Sequence, residues 1–217
     1  MSNEPLTIDV VSDIVCPWCY IGKRRLERAL ALRPDVPVEV RWHPFFLNPW
    51  VPREGISREE YLTTKFGSVD AYKAIAKRVA AAAAQEGLVY DLDGIERQPN
   101  TIDAHRLIRW AHERGDAAKM KQRLMELYFR EGADLTDREV LVKAAREAGL
   151  DPEQVRKDLA GERDVAEVEA EAARANQAGI SGVPFFIFGN KLGVSGAQSP
   201  EILASAIDKA RETTPAA

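Results

Sequence analysis

The chain has 217 residues, 45% of them apolar and 29% charged, with 30 Lys and Arg against 34 Asp and Glu for a net charge of −4. This apolar content excludes intrinsic disorder, and the acidic balance argues against a dedicated nucleic-acid binder. Two cysteines, in a chain long enough to build its own core, exclude a disulfide-stapled miniature.

The opening Met1-Ser-Asn-Glu-Pro-Leu6 lacks the basic and apolar regions of a secretory signal. The longest apolar run, residues 79–84, is far short of the roughly 20 needed to span a bilayer. The expectation is a soluble, cytoplasmic protein with no membrane partner.

Leu6, Ile8 and Val10 alternate as a strand over residues 6–12. Cys16-Pro17 then opens a helix, because proline suits the first turn, where its missing N–H would be unpaired anyway. Cys19, Gly22, Leu26, Ala29 and Leu30 share one face of it, and Lys23, Arg24, Glu27 and Arg28 take the other. Arg33-Pro34 stops the helix, and Val38, Val40 and Trp42 mark a second strand over 36–42. Residues 5–43 therefore read as a β-α-β unit.

Residues 44–178 read as almost wholly helical. Ser57-Arg-Glu-Glu60 and Thr136-Asp-Arg-Glu139 are capping-box patterns. Helices are expected over 69–86, 101–114, 119–129, 141–148, 153–159 and 164–178, with Gly87, Gly115 and Gly149 as stops. The β signal returns at 183–188, turns at Gly189-Asn190 and continues over 191–194. A closing helix over 200–211 and a frayed tail over 213–217 end the chain. The fold class is α/β: a β-α-β … β-β-α domain formed by 1–48 and 179–217, interrupted by a helical domain over 49–178.

Cys16-Pro17-Trp18-Cys19 is the strongest chemical signal. Unpaired N–H groups and the helix dipole favour a thiolate at Cys16. Cys19 lies one turn further on, facing inward with Gly22 and Leu26, where a thiol stays protonated. An exposed nucleophile and a shielded resolving partner result: Cys16 attacks a disulfide and Cys19 releases the mixed disulfide. A zinc site would need two further ligands, and His43, His105 and His112 are not spaced to supply them, so no metal is expected. The β-α-β context points to redox chemistry instead.

Val183-Pro184 opens a strand although proline cannot donate to the ladder. A cis bond there would turn the preceding backbone groups outward, beside the cysteines, to pair with an extended substrate. Spacing alone favours a trans edge proline; the order of elements favours the cis form.

Cys16-Pro-Trp-Cys-Tyr-Ile-Gly22, the helical insertion and Ser181-Gly-Val-Pro-Phe-Phe186 together resemble the DsbA-like thioredoxin-fold oxidoreductases. Asp13-Ile-Val-Cys-Pro-Trp-Cys-Tyr-Ile-Gly22, Asn100-Thr-Ile-Asp-Ala-His-Arg-Leu107 and Val194-Ser-Gly-Ala-Gln198 are similar to the FrnE-like branch. The resemblance spans residues 6–210. It implies a thioredoxin-like fold, Cys16 as nucleophile, Cys19 as resolving thiol and Pro184 as the cis-proline, with Pro17, Trp18 and Val183 shaping the site. Its implied partners are a disulfide-bearing protein or small molecule and a cellular thiol reductant. No cofactor is implied beyond the redox-active pair, with glutathione as a possible thiol partner.

Periplasmic members commonly carry His where Trp18 stands, and some relatives carry a second cysteine pair that this chain lacks. The related kappa-class glutathione transferases and 2-hydroxychromene-2-carboxylate isomerases usually have Ser at the position of Cys16. They provide the alternative reading, with Asn100 and Gln198 as glutathione contacts; the acidic group usual in that turn is missing at Ala197 and Gln198. A second alternative is a non-catalytic chaperone-like module. Asp13 is a candidate proton partner and also a plain loop cap, and His43 a candidate wall of the site. His105 reads as a satisfied helix histidine. Trp18 and Tyr20 read as apolar contacts for substrate, and Lys23, Arg24, Arg25 and Arg28 as a solvated face.

Overall fold

The computed structural model describes residues 4–91 and 93–212. The expected tail over 213–217 lies outside them. Strand β1 (Leu6–Ser12) runs through helix α1 (Pro17–Ala31) into the parallel strand β2 (Val38–Pro44), with Ile8 opposite Val40 and Val10 opposite Trp42. On its other side β1 pairs antiparallel with β5 (Phe185–Phe188), which turns into β6 (Leu192–Ser195). The sheet order is β2-β1-β5-β6, so the two ends of the chain build one sheet. The turn works because Gly189 and Asn190 both take positive φ, 58° and 57°, which a tight hairpin demands.

Alternation of side chains gives the sheet two faces. Ile8, Val10, Phe186 and Phe188 pack with Leu26 and Ala29 of α1 and with Leu203 and Ile207 of α9 (Pro200–Glu212). Val11 packs on the opposite face with Phe45, Ile180 and Phe185. Strand β5 starts at Phe185, later than expected, since Pro184 has no N–H for the ladder.

Between β2 and β5 come β3 (Ile56–Ser57), α2 (Arg58–Phe66), α3 (Val69–Gln85), β4 (Arg97–Gln98), α4 (Ile102–Arg114), α5 (Ala117–Phe129), α6 (Arg138–Glu147), α7 (Pro152–Ala160) and α8 (Val165–Gln177). The β3–β4 ribbon corrects the all-helical expectation; two residue pairs are too short to show a period in sequence. Ser57 caps α2 by accepting from the Glu60 N–H, as its box predicts. At α6 the cap moves one residue along: Asp137 accepts from Glu139 N, while Thr136 turns back to Asp134. Met120, Leu124 and Leu141 belong to the same apolar cluster as Ile8, Val10 and Cys19, so the core runs unbroken from sheet into helices.

Two features of this packing set up the active face. A Cβ added at Gly22 would meet Pro184 Cγ at 2.8 Å and Phe186 Cζ at 3.3 Å, so a bare backbone lets α1 lie against the segment entering β5. Strand β2 is a sheet edge, and α4 covers it: the Trp42 N–H donates to His112 Nε2 at 3.1 Å. Gly22→Ala should therefore cost about 1–3 kcal/mol through overpacking. Urea unfolding measures it, and an unchanged midpoint would show that α1 does not need this approach.

Candidate active site

Cys16 is the N-cap residue of α1, with extended φ and ψ of −90° and 111°, and Pro17 follows at the first helical position. The Cys16 carbonyl accepts from the Cys19 N–H at 3.0 Å and from the Tyr20 N–H at 3.2 Å. The first turn of α1 contains no acidic side chain, so the positive end of the helix is left to the sulfur. Cys16 Sγ lies 3.6 Å from the Val183 carbonyl, and the Val183–Pro184 bond is cis. Pro17 and Trp18 lie between the two cysteines in α1, and Val183 and Pro184 lie against Cys16. The Val183 carbonyl faces Cys16 itself.

Both cysteines are free thiols, and both are buried, Cys16 at 3% exposure and Cys19 at 2%. An exposed Cys16 was expected; the Val183–Pro184 segment covers it. Burial pushes the Cys19 thiol well above its ordinary pKa, and the adjacent Cys16 sulfur adds to the shift. Lys121 and the Asp13 main chain pull the other way, without reversing it. Cys19 is held as a thiol.

Beneath the pair lies Asp13, fully buried. Its Oδ1 accepts from the Ile14 N–H at 2.7 Å and lies 3.2 Å from His105 Nε2; its Oδ2 accepts from the Leu47 N–H at 2.8 Å. Burial alone would raise this carboxyl, yet the His105 hydrogen bond, Leu47 N–H and nearby Lys121 hold it below its ordinary value. Burial pushes His105 down despite its carboxylate partner, so a neutral imidazole faces an ionised Asp13. His105 is satisfied, as expected of it, and its partner brings it into the site.

Two cations in the site escape a reading by motif. Burial brings Lys121 of α5 down to about 8, against the influence of Cys19, Asp13 and Cys16. The sequence does hold a signal: Lys121 sits in the apolar stripe of Ala117, Leu124 and Tyr128, where a lysine is out of place. Lys65 of α2 acts on Cys16 and Asp13, while its Nζ donates to Asn48 Oδ1 at 2.5 Å. Nothing local in the sequence marks it.

Other expected contact residues are engaged in local hydrogen bonds. Asn100 shapes the entry to α4, donating to the Val51 carbonyl and accepting from the Ile102 N–H. Gln198 closes its own turn, donating to the Ser195 carbonyl at 2.8 Å. Tyr20 is buried and stacked on Phe129 at 5.4 Å, which leaves Trp18, 39% exposed, as the apolar contact at the surface. Nor is the basic face of α1 simply solvated: Lys23 is buried, and Arg25 and Arg28 both pair with buried Glu86. His43 lies between two carboxylates, Nδ1 2.6 Å from Glu171 and Nε2 2.7 Å from Asp9, away from the thiols. Among the described residues, no three His, Cys, Asp or Glu side chains are grouped to hold a metal ion.

Residues 7–208 match the DSBA-like thioredoxin domain family, and the chain belongs to it. A probable DsbA oxidoreductase from Streptomyces coelicolor is 36% identical, with a TM-score of 0.89 over 98% of this chain and 92% of that one. The uncharacterised protein YwbO of Bacillus subtilis is 27% identical over 92% of this chain and 94% of its own. The cytosolic disulfide reductase DsbM from Pseudomonas aeruginosa, solved with GSH, shares the fold at 18% identity and TM-score 0.67, over 95% of this chain and 99% of that one. No helix among the described residues is long and apolar enough to cross a membrane.

His43 offers a test of the electrostatics at the back of the sheet. Burial would lower its pKa, but the Glu171 and Asp9 hydrogen bonds raise it overall. A raised folded value stabilises the fold fully below the unfolded pKa of about 6.5, and this stability is lost as pH climbs through the folded value. His43→Gln should therefore destabilise most near about pH 6 and least near about pH 9 in urea titrations. A difference constant with pH would refute the charged arrangement.

Proposed function

We propose that the chain catalyses thiol–disulfide exchange on protein or small-molecule disulfides through Cys16 and Cys19. The observation that carries this reading is the asymmetry of the pair. Cys16 caps a helix whose first turn lacks any carboxylate, and Cys19 beside it is held protonated by burial. Cys16 attacks one sulfur of the substrate disulfide and expels the other as a thiolate. Cys19 then attacks Cys16, releases the second substrate thiol and leaves a Cys16–Cys19 disulfide, which a cellular thiol re-reduces. Glutathione fits that last role, and the name of the Pseudomonas neighbour supports both that partner and a cytosolic setting. Trp18, exposed beside the nucleophile, provides apolar contact for the substrate.

Cys16→Ser should abolish disulfide reduction in an insulin-type assay, because no attacking thiolate remains. Cys19→Ser should accumulate a mixed disulfide with substrate, visible by mass spectrometry, because attack survives and resolution does not. A glutathione-dependent transferase would be almost indifferent to Cys19→Ser. Normal turnover of that variant would therefore replace the exchange reading with the transferase one.

A further inference from the structure

Lys121 is a buried charge that the exchange reaction leaves without a task. Its Nζ is buried and bonded to no acceptor among the described residues. The Trp42 ring lies 5.8 Å from it; Lys23 approaches the same ring at 5.9 Å but is bonded to Glu27 and Gln122. A buried ammonium with no acceptor is costly, and an apolar residue of similar length would avoid that cost.

A cavity of about 350 Å³ opens at the β2 edge of the sheet, between β2, α4 and α8. Its buried lining includes Lys121, His105 and Ile108, and its exposed lining includes Glu39, Arg41 and Glu113. Lys121 thus stands between the thiols and a polar opening. Strand β1 separates β2 from β5, so this opening is two strands away from the Val183–Pro184 segment that covers Cys16. A disulfide approaching Cys16 from the Val183–Pro184 side would leave this opening free.

We propose that Lys121 accepts the Sγ proton of Cys19 during the resolving step and passes it to solvent through the cavity at the sheet edge. This rests on the exchange reading above. The Cys19 S–H bond breaks and the proton goes, through one bridging water, to the neutral Lys121 amine. The Cys19 electron pair forms the bond to Cys16 Sγ, and the Cys16–substrate bond breaks. The substrate sulfur leaves as a thiolate, two electrons richer in total for the substrate disulfide, and the Cys16–Cys19 pair is oxidised by the same two. The Lys121 ammonium then loses its proton to solvent.

The charged groups around Lys121 fit the role. Cys19, Cys16 and Lys23 face it from α1, Asp13 from the turn before α1 and His105 from α4. Of those that favour its charged form, Cys19 acts most strongly. Beyond them the cavity is lined by His43 of β2, Arg109 and His112 of α4 and Glu171 of α8. With Lys121 brought to about 8 by burial, part of it is a free amine at neutral pH.

The test mixes reduced full-length protein with the chromogenic disulfide DTNB, which releases one coloured thiolate when Cys16 attacks and a second when Cys19 resolves. In the unmodified protein the second phase should rise with pH through about 8. Lys121→Met should slow that phase by about a hundredfold and spare the first. Lys121→Arg keeps the charge but cannot give up its proton near neutrality, so it should be slow as well. Rescue by Lys121→Arg would overturn the proposal in favour of simple charge stabilisation, and an unchanged Lys121→Met would overturn it outright. If neither variant folds, a second phase in the unmodified protein that is flat from about pH 6.5 to 9.5 overturns it. Absence of any second phase in the unmodified protein would instead refute the exchange reading.

Discussion

The site is organised around one buried carboxylate. Asp13 has no exposure, and an ionised group there is sustained only by bonds to every oxygen and a countercharge within reach. Its partners come from three parts of the chain: the Ile14 N–H of the turn before α1, the Leu47 N–H after β2, and His105 of α4. Meeting these demands draws the start of α1, the end of β2 and the helical segment together under the two thiols. The position of Cys16 at the helix end follows from that closure as much as from Pro17.

A neutral His105 and an ionised Asp13 give the floor of the site a negative charge. Two lysines oppose it, Lys121 from α5 near Cys19 and Lys65 from α2 near Cys16. The two cations come from different helices of the insertion, and Lys121 acts on both thiols. Thioredoxin-like elements place the sulfurs, and the insertion places charged groups around them. A shared sheet is therefore compatible with quite different thiol chemistry among proteins with this fold.

The sheet and most helices were legible in the sequence, since period-2 and period-3.6 patterns report burial directly. Caps and stops were equally plain where they act within one turn, as at Ser57 and Gly87. The Cys pair and Pro184 could be placed because they sit at element junctions that a motif marks. Asp13 was visible with its role open, since a loop cap and a buried proton partner have the same local sequence. Long-range partnerships were not legible: Lys65 with Cys16, Glu86 with Arg25 and Arg28, and His112 with the β2 edge each join residues more than 45 apart. The exposure of Cys16 was misjudged for the same reason, because its cover comes from residue 183. Lys121 is the instructive exception. It stands in an apolar stripe of α5, and a charge where packing wants none is a signal in its own right.

The helical insertion also answers a problem that the sheet creates. An open edge at β2 exposes unpaired backbone groups to pairing with other chains. Helix α4 covers that edge, and His112 takes the Trp42 N–H directly. That bond needs a bare lone pair on Nε2, so His112 must be neutral there; burial, helped by the charge on His43, lowers its pKa. The charge on His43 is in turn maintained by Asp9 and Glu171. A chain of proton-dependent contacts thus runs from the β2 edge to α8, along the wall of the cavity that reaches Lys121. The cover over the sheet edge and the polar opening behind the thiols are therefore one structure, and a change in the protonation of either histidine would be felt by both.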